Sequence, residues 1–341
     1  MQLSKPYLLF LGASQSMTDC KTAAGLRDWC RADVTGQMAL PGCRVDLGLP
    51  WYTPAAAYAA GARSLVIGVA PVGGGIPPQW WPALLEALAA GLDVVSGMHT
   101  RLAEVPGLPE AAQRHGCRLL DVRHSERTFE AASGARRPGR RVLTVGTDCA
   151  LGKKYTALAL TAALRALGVA ATFRATGQTG IMIAGAGVAI DAVIADFVAG
   201  AAEWLSPANH PHHWDVIEGQ GALFHPAYAG VTLGLIHGSQ PDALVLCHDP
   251  TRTAIGGYPD YPLPSLAAAI SQYLTAARLT NPEARFAGVS LNTSAMDATS
   301  RRTVIASVAQ EFGLPVVDPI IDGAAAIAQR LAAQFHGEAI Q

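Results

Sequence analysis

From Arg140 to Leu167 the chain reads RRVLTVGTDCALGKKYTALALTAALRAL: an apolar run, a loop bounded by Gly146 and Gly152, then helical spacing. Residues in this order suit the binding of an anion. Gly146 releases the chain from its strand, and Gly152 lets it turn tightly into the helix. Between them, the N–H groups of Thr147, Asp148, Cys149, Ala150 and Leu151 can converge on a phosphate at the helix N-terminus. Lys153 adds a mobile positive charge. The spacing is one residue longer than the usual phosphate-loop pattern, and Lys154 stands where a magnesium-holding Ser or Thr is normal. Thr156, two positions later, is the nearest substitute hydroxyl. A tight strand-to-helix turn with an ordinary surface lysine is the plainer use of these residues, but strand context, spacing and lysine together favour the anion.

Further polar residues cluster at the ends of other apolar runs. Trp214-Asp215-Val216-Ile217-Glu218-Gly219-Gln220-Gly221 brings two carboxylates, Asp215 and Glu218, to the tip of a strand. Beside a phosphate loop such groups hold magnesium or act as a general base; otherwise they cap the next segment. Gln220 there offers a polar contact to a substrate. Arg174, at the end of another run, and Arg252, in Asp249-Pro250-Thr251-Arg252, carry planar donor forks suited to carboxylate or phosphate. Surface ion pairing is the plainer role for Arg174. Asn292 can read a base or sugar edge, or cap Thr293 and Ser294. In the first half, Lys21 and Asp19, within Thr18-Asp19-Cys20-Lys21-Thr22, can reach a ligand or cap a helix. His210, His212 and His213 crowd a loop without a second matched cluster, so no metal site is expected. Among His225, His237 and His248, His237 is the candidate helper in proton transfer, although buried, hydrogen-bonded histidines are commoner.

These side chains need a scaffold of strands whose ends face one way. With 341 residues the chain exceeds the size of one core, and two domains are expected. Half of the residues are apolar and the net charge is −1, which suits a compact α/β protein and makes nucleic acid and membrane surfaces poor partners. No uninterrupted apolar stretch is long enough to span a bilayer, and the short apolar run near the start reads as a strand rather than a signal peptide. Six scattered cysteines without a C-x-x-C pair fit a reducing cytoplasm. ASGARRPGRR at 132–141 reads as an exposed linker, placing a first domain at 1–135 and a second at 136–341.

In the first domain, strands are expected at 7–11, 64–69, 92–95 and 118–122, with helices at 54–60 and 82–90. Glycines follow two of these strands, at Gly12 and at Gly73-Gly74-Gly75. In the second, strands are expected at 142–145, 171–175, 215–217, 243–247, 286–291 and 316–318. Helices are expected there at 154–167, 188–205, 266–279, 301–312 and 322–334. Alternation of this kind implies βαβ units, mainly parallel sheets and ligands beyond the strand ends. Alanine-rich helices make a homo-oligomer the expectation.

Together, Pro71-Val72-Gly73-Gly74-Gly75, Gly91-Leu92-Asp93-Val94-Val95-Ser96-Gly97-Met98-His99, Gly146–Lys153, Glu218-Gly219-Gln220-Gly221 and Leu235-Ile236-His237-Gly238-Ser239 resemble a family long labelled a domain of unknown function. That resemblance covers nearly the whole chain and implies a Rossmann-like N-terminal domain followed by a P-loop NTPase-like C-terminal domain. Within the family, GTDCALGKKYTALAL and EGQGALFHPAYAG most resemble the D-glutamate N-acetyltransferases. The resemblance implies a small-molecule amino-acid substrate and acetyl-CoA as acetyl donor, whose phosphates the loop can bind without a metal hydroxyl. The loop also resembles that of dethiobiotin synthetase, so an ATP/Mg2+-dependent ligase or kinase is the rival, from which Lys154 departs. A nicotinamide enzyme fits least, because Gly12-Ala13-Ser14-Gln15-Ser16 is no G-x-G-x-x-G.

Overall fold

The computed structural model describes residues 3–17, 19–69, 74–124 and 127–336, with side chains through 333. Thr18 and the Pro71-Val72-Gly73 part of the first motif lie outside the described residues. The chain forms two compact units, each built on a parallel sheet.

The first unit contains β1 (Tyr7–Phe10), α1 (Lys21–Trp29), β2 (Val34–Met38), α2 (Pro54–Ala59), β3 (Ser64–Ile67), α3 (Trp81–Ala89), β4 (Asp93–Ser96), α4 (Leu108–His115) and β5 (Leu119–Asp121). Its sheet runs in the order β2-β1-β3-β4-β5. β1, β3 and β4 are buried along their whole length, as strands covered by helices on both faces must be. Pro54 begins α2 behind a Thr53 cap that accepts the Ala56 N–H. α1, β2 and α4 lie outside the elements expected from the sequence. β2 is an edge strand whose Gln37 is fully buried, tying the loop that follows by donating to Asp46 and Leu49 and accepting from Leu47.

The second unit contains β6 (Arg140–Gly146), α5 (Lys153–Ala166), β7 (Ala171–Arg174), then, beyond an excursion that includes α6 (Gln178–Ala184), α7 (Val198–Leu205), β8 (Trp214–Ile217), α8 (Ala229–Ser239) and β9 (Ala243–His248). A small antiparallel hairpin follows, β10 (Ala254–Ile255) with β11 (Tyr258–Pro262), then α9 (Leu266–Arg278), β12 (Arg285–Leu291), α10 (Ala298–Phe312), β13 (Val316–Val317) and α11 (Ala325–His336). The sheet order is β13-β12-β9-β6-β8-β7. From β6 the chain goes to the edge at β7, comes back to place β8 between them, then crosses to β9 and builds outward through β12 to β13. The crevice beyond the ends of β6 and β9 is the switch point at which such sheets bind ligands.

Two expectations need correction. The helix expected over 188–205 is α-helical only in α7, because residues 177–192 belong to the first unit and the chain crosses between units after Ala192. There the Thr22 and Thr179 hydroxyls lie 3.0 Å apart and Tyr7 donates to the Met182 carbonyl. The stretch 132–141 is no free linker. Arg137 donates to the Ser206 and Gly238 carbonyls, Ser133 holds Glu203, and Arg141, 1% exposed, donates to five backbone carbonyls, those of Arg137 and Ser206 among them. Burial, the largest influence, with Arg141 next, lowers the Arg137 pKa to about 10.

Candidate active site at the phosphate loop

β6 ends at Gly146, whose carbonyl accepts from the Tyr273 hydroxyl at 2.7 Å. The loop then runs to Gly152, φ +98°, where α5 begins. Ala150 holds φ +56°, a left-handed conformation that a side chain adopts at some cost, so the loop is bent by its surroundings. Asp148 ties the loop to its neighbours. One carboxylate oxygen accepts the Cys149 N–H, and the other accepts the Gly256 N–H at 2.8 Å and Arg252 at 2.7 Å. Arg252 also donates to the Cys149 carbonyl. Burial pushes the Asp148 pKa up, but Gly256, Arg252 and Cys149 together bring it below the usual carboxylate range.

Lys153 is 7% exposed and folds back, donating to the Asp148 carbonyl at 2.8 Å. Burial lowers its pKa, so an incoming anion would satisfy a charge that the protein holds largely out of water. Thr147 shares a hydrogen bond with His248 at 2.9 Å, and burial keeps His248 below the usual histidine range.

Glu218 lies just past β8, beside β6. It is 3% exposed; Oε2 accepts the Thr176 N–H at 2.9 Å, while the Thr176 hydroxyl donates to the Glu218 carbonyl. The next residue must be glycine: a Cβ at Gly219 would lie 1.7 Å from the Thr144 carbonyl oxygen and 3.1 Å from the Lys153 stem. Thr144 accepts the Gly219 N–H at 2.9 Å. The backbone just after Glu218 is therefore fixed against β6, with Gly219 packed on the Lys153 stem.

The structure thus brings together Gly146–Lys153, Glu218 and Arg252, and it reassigns several other residues. Asp215 is the second residue of β8, not its tip, and its buried carboxylate is paired with Arg174 at 2.8 Å and His213 at 3.4 Å. Arg174 and Asp215 are thus each other's partners, not two separate contacts to a ligand. Arg252 braces the loop rather than standing free as a clamp. His237 lies near the end of α8, which leads back to Asp242 and the start of β6; the seven residues of β6 separate it from the loop by roughly 20 Å. Its buried Nε2 has no partner among the described residues. Thr156 is committed to Ser290 and the Gly152 carbonyl, so it does not replace the metal-binding hydroxyl. Asn292 caps Ser294 at the end of β12. The Gln220 carbonyl accepts from Thr232, and Lys154 lies over the Tyr155 ring. Lys21 opens α1 in the first unit.

Sequence reasoning missed Thr144, Thr176, Tyr273 and Gly256. A threonine inside the apolar run VLTVG was a visible signal for Thr144, and Gly256-Gly257 one for a hairpin turn. Asp148, Cys149 and His225 form the group among the described residues with metal-ligand atoms within 4.8 Å of one another. Asp148 already accepts three donors, the His225 Nδ1 accepts the Ala227 N–H, and burial raises the Cys149 pKa against the opposing pull of Lys153.

Residues 129–328 match the P-loop domain, and residues 38–125 the Rossmann-like domain, of DUF1611, described as a domain of unknown function. A D-glutamate N-acetyltransferase of Tritonibacter scottomollicae is 48% identical over 97% of this chain and 99% of its own length. Another, from a Pseudoalteromonas species, is 45% identical over 97% of this chain and all of its own. The crystal structure of a DUF1611 family protein from Anabaena variabilis ATCC 29413 aligns with a TM-score of 0.86 at 37% identity, covering 97% of this chain and 100% of that one. Matched in both domains and along nearly its full length, the chain belongs to the DUF1611 family.

Proposed function

We infer that this chain is a D-glutamate N-acetyltransferase. The observation that carries the inference is its near-full-length similarity, at 48% identity, to an enzyme of that name. In our reading acetyl-CoA is the donor, and the N–H groups of 147–153 with Lys153 receive its phosphates. The commitment of Thr156 to Ser290 and Gly152 supports this over a magnesium nucleotide, which needs a hydroxyl at the loop. Lys154 at the start of α5 adds charge, and Gln220 and Asn292 remain candidate polar contacts.

The amine nitrogen of D-glutamate bonds to the acetyl carbonyl carbon, the carbon–sulfur bond breaks with its electron pair going to sulfur, and the proton removed from the amine converts the departing coenzyme A thiolate to the thiol. The amine must lose a proton for this, and Glu218, buried and one residue before the glycine that packs on the Lys153 stem, is the proposed base. With Arg174 and Arg252 both engaged in ion pairs, the two substrate carboxylates rely on the unengaged N–H groups of Arg252 and on other cations of the chain. We place the enzyme in the cytoplasm as a homo-oligomer; no helix among the described residues is long and apolar enough to cross a membrane.

The test is to incubate the protein with acetyl-CoA or magnesium ATP and a panel of D- and L-amino acids, following free thiol and phosphate. Thiol release that requires D-glutamate is expected. Phosphate release that requires magnesium, without thiol, would replace this reading with the ligase or kinase one.

A further inference from the structure

His225 and Tyr228, in the run EGQGALFHPAYAG, have no part in the chemistry above, yet they adjoin the phosphate loop. His225 is 3% exposed, and a ring nitrogen lies within 4.8 Å of ligand atoms of both Asp148 and Cys149. Two tyrosine rings pack on it: Tyr228 at 4.5 Å between centroids and 34° between planes, and Tyr258 at 5.1 Å, edge to face. Tyr261 continues the row, 6.0 Å from Tyr258. Tyr228 and Tyr261 are 52% and 50% exposed. The buried histidine is thus the floor of an aromatic cluster that opens to solvent beside the loop.

The cluster is also held rigidly. Tyr258 begins β11, two residues after Gly256, whose N–H is bound to Asp148 within the loop. Tyr228 sits on a turn pinned at both ends: Ala227 donates to His225, and Thr232 donates to the Gln220 carbonyl. Gly221, at φ +67°, has no room for a Cβ, which would lie 2.4 Å from the Tyr228 carbonyl oxygen. One carboxylate, Asp148, therefore ties the aromatic row to the N–H groups that face the anion.

We propose that His225, Tyr228 and Tyr258 form a platform for the adenine ring of the acetyl donor, a reading that rests on the loop holding that donor's phosphates. In an adenosine diphosphate group one ribose separates base from phosphate, which matches a ring cluster touching the loop at one edge. Aromatic faces stack on purines whatever the base. D-Glutamate, with two carboxylates and no ring, gives these rings nothing to recognise.

The test compares acetyl-CoA with S-acetyl-pantetheine, which keeps the thioester and lacks the nucleotide, in Tyr228→Ala, Tyr258→Ala and the double variant. The expected result is a KM for acetyl-CoA raised roughly tenfold or more, with the constants for S-acetyl-pantetheine and for D-glutamate unchanged. Tyr→Phe at either position should retain the parent KM. Binding of adenosine 3′,5′-bisphosphate, measured by calorimetry, should weaken in parallel, which reads the platform without turnover. An unchanged KM and unchanged bisphosphate binding would overturn the proposal, as would equal losses with both donors. So would a smaller assembly on size-exclusion chromatography with donor KM unaltered, which assigns the tyrosines to a subunit contact. Lys153→Ala, run alongside, separates the two ideas: if it raises the acetyl-CoA KM and the tyrosine variants do not, only the platform falls. If it leaves that KM unchanged, the phosphate reading fails first.

Discussion

At the scale of the residue, the loop works because a charge is held ready for an anion while the backbone is braced from outside. Lys153→Ala should raise the KM for acetyl-CoA, with a smaller effect on turnover at saturation, as steady-state kinetics would register. Glu218→Gln keeps the acceptor for the Thr176 N–H but removes basicity. Turnover should fall by more than roughly tenfold while coenzyme A affinity stays close to the parent value; unchanged turnover would remove Glu218 from the role of base. Asp148 carries a pH signature. Its pKa is depressed in the folded protein, so its ionisation adds stability above the ordinary carboxylate pKa of about 3.9, and that stability is lost as pH falls through the lower folded value. Thermal melts of the parent should therefore lose Tm below about pH 4 more steeply than those of Asp148→Asn, and parallel curves would contradict this. The loop and Glu218 were legible in the sequence because spacing and a preceding strand define them locally. The pairing of Arg252 with Asp148, 104 positions apart, and of Arg174 with Asp215, 41 apart, was not, because only the sheet brings those partners together.

At the scale of the element, strands were easier to read than helices. Strands buried on both faces are continuous apolar runs, and all the expected second-unit strands have counterparts within a residue or two. α8 went unseen, and its composition explains why. AGVTLGLIHGS carries Gly230, Gly234 and Gly238 four residues apart, which by propensity argues against a helix. Packing against α7 decides otherwise. A Cβ on Gly238 would lie 1.9 Å from the Ala199 carbonyl oxygen, and one on Gly234 2.4 Å from Val198 Cγ1, so only glycine permits this approach. Gly230 faces open space. Gly238→Ala should thus cost about 1–3 kcal/mol or more in chemical denaturation, whereas Gly230→Ala, in the same helix, should gain up to about 1 kcal/mol. Equal effects at the two positions would show that backbone propensity, not the helix contact, governs α8.

At the scale of the whole molecule, the two sheets follow from alternating strands and helices, but the division of the chain between units does not. A sequence reading cuts the chain once, at its most polar stretch. There the arginines are instead bound to the second unit, Arg137 and Arg141 to backbone carbonyls around Ser206, and a separate return carries residues 177–192 back to the first. No local signal marks that return, because Ile181, Met182 and Ile183 look like any buried helix turn and are indeed buried, at 4%, 0% and 8% exposure. A fragment beginning at residue 128 therefore carries α6 without Tyr7 and Thr22, its hydrogen-bond partners in the first unit. Produced alone, that fragment should expose the three apolar side chains, bind a hydrophobic dye and lose solubility. Supplying residues 1–127 in trans, or replacing 177–192 with a short Gly-Ser linker, should suppress dye binding. A fragment that stays soluble and dye-free with 177–192 intact would mean that this stretch is stable without the first unit.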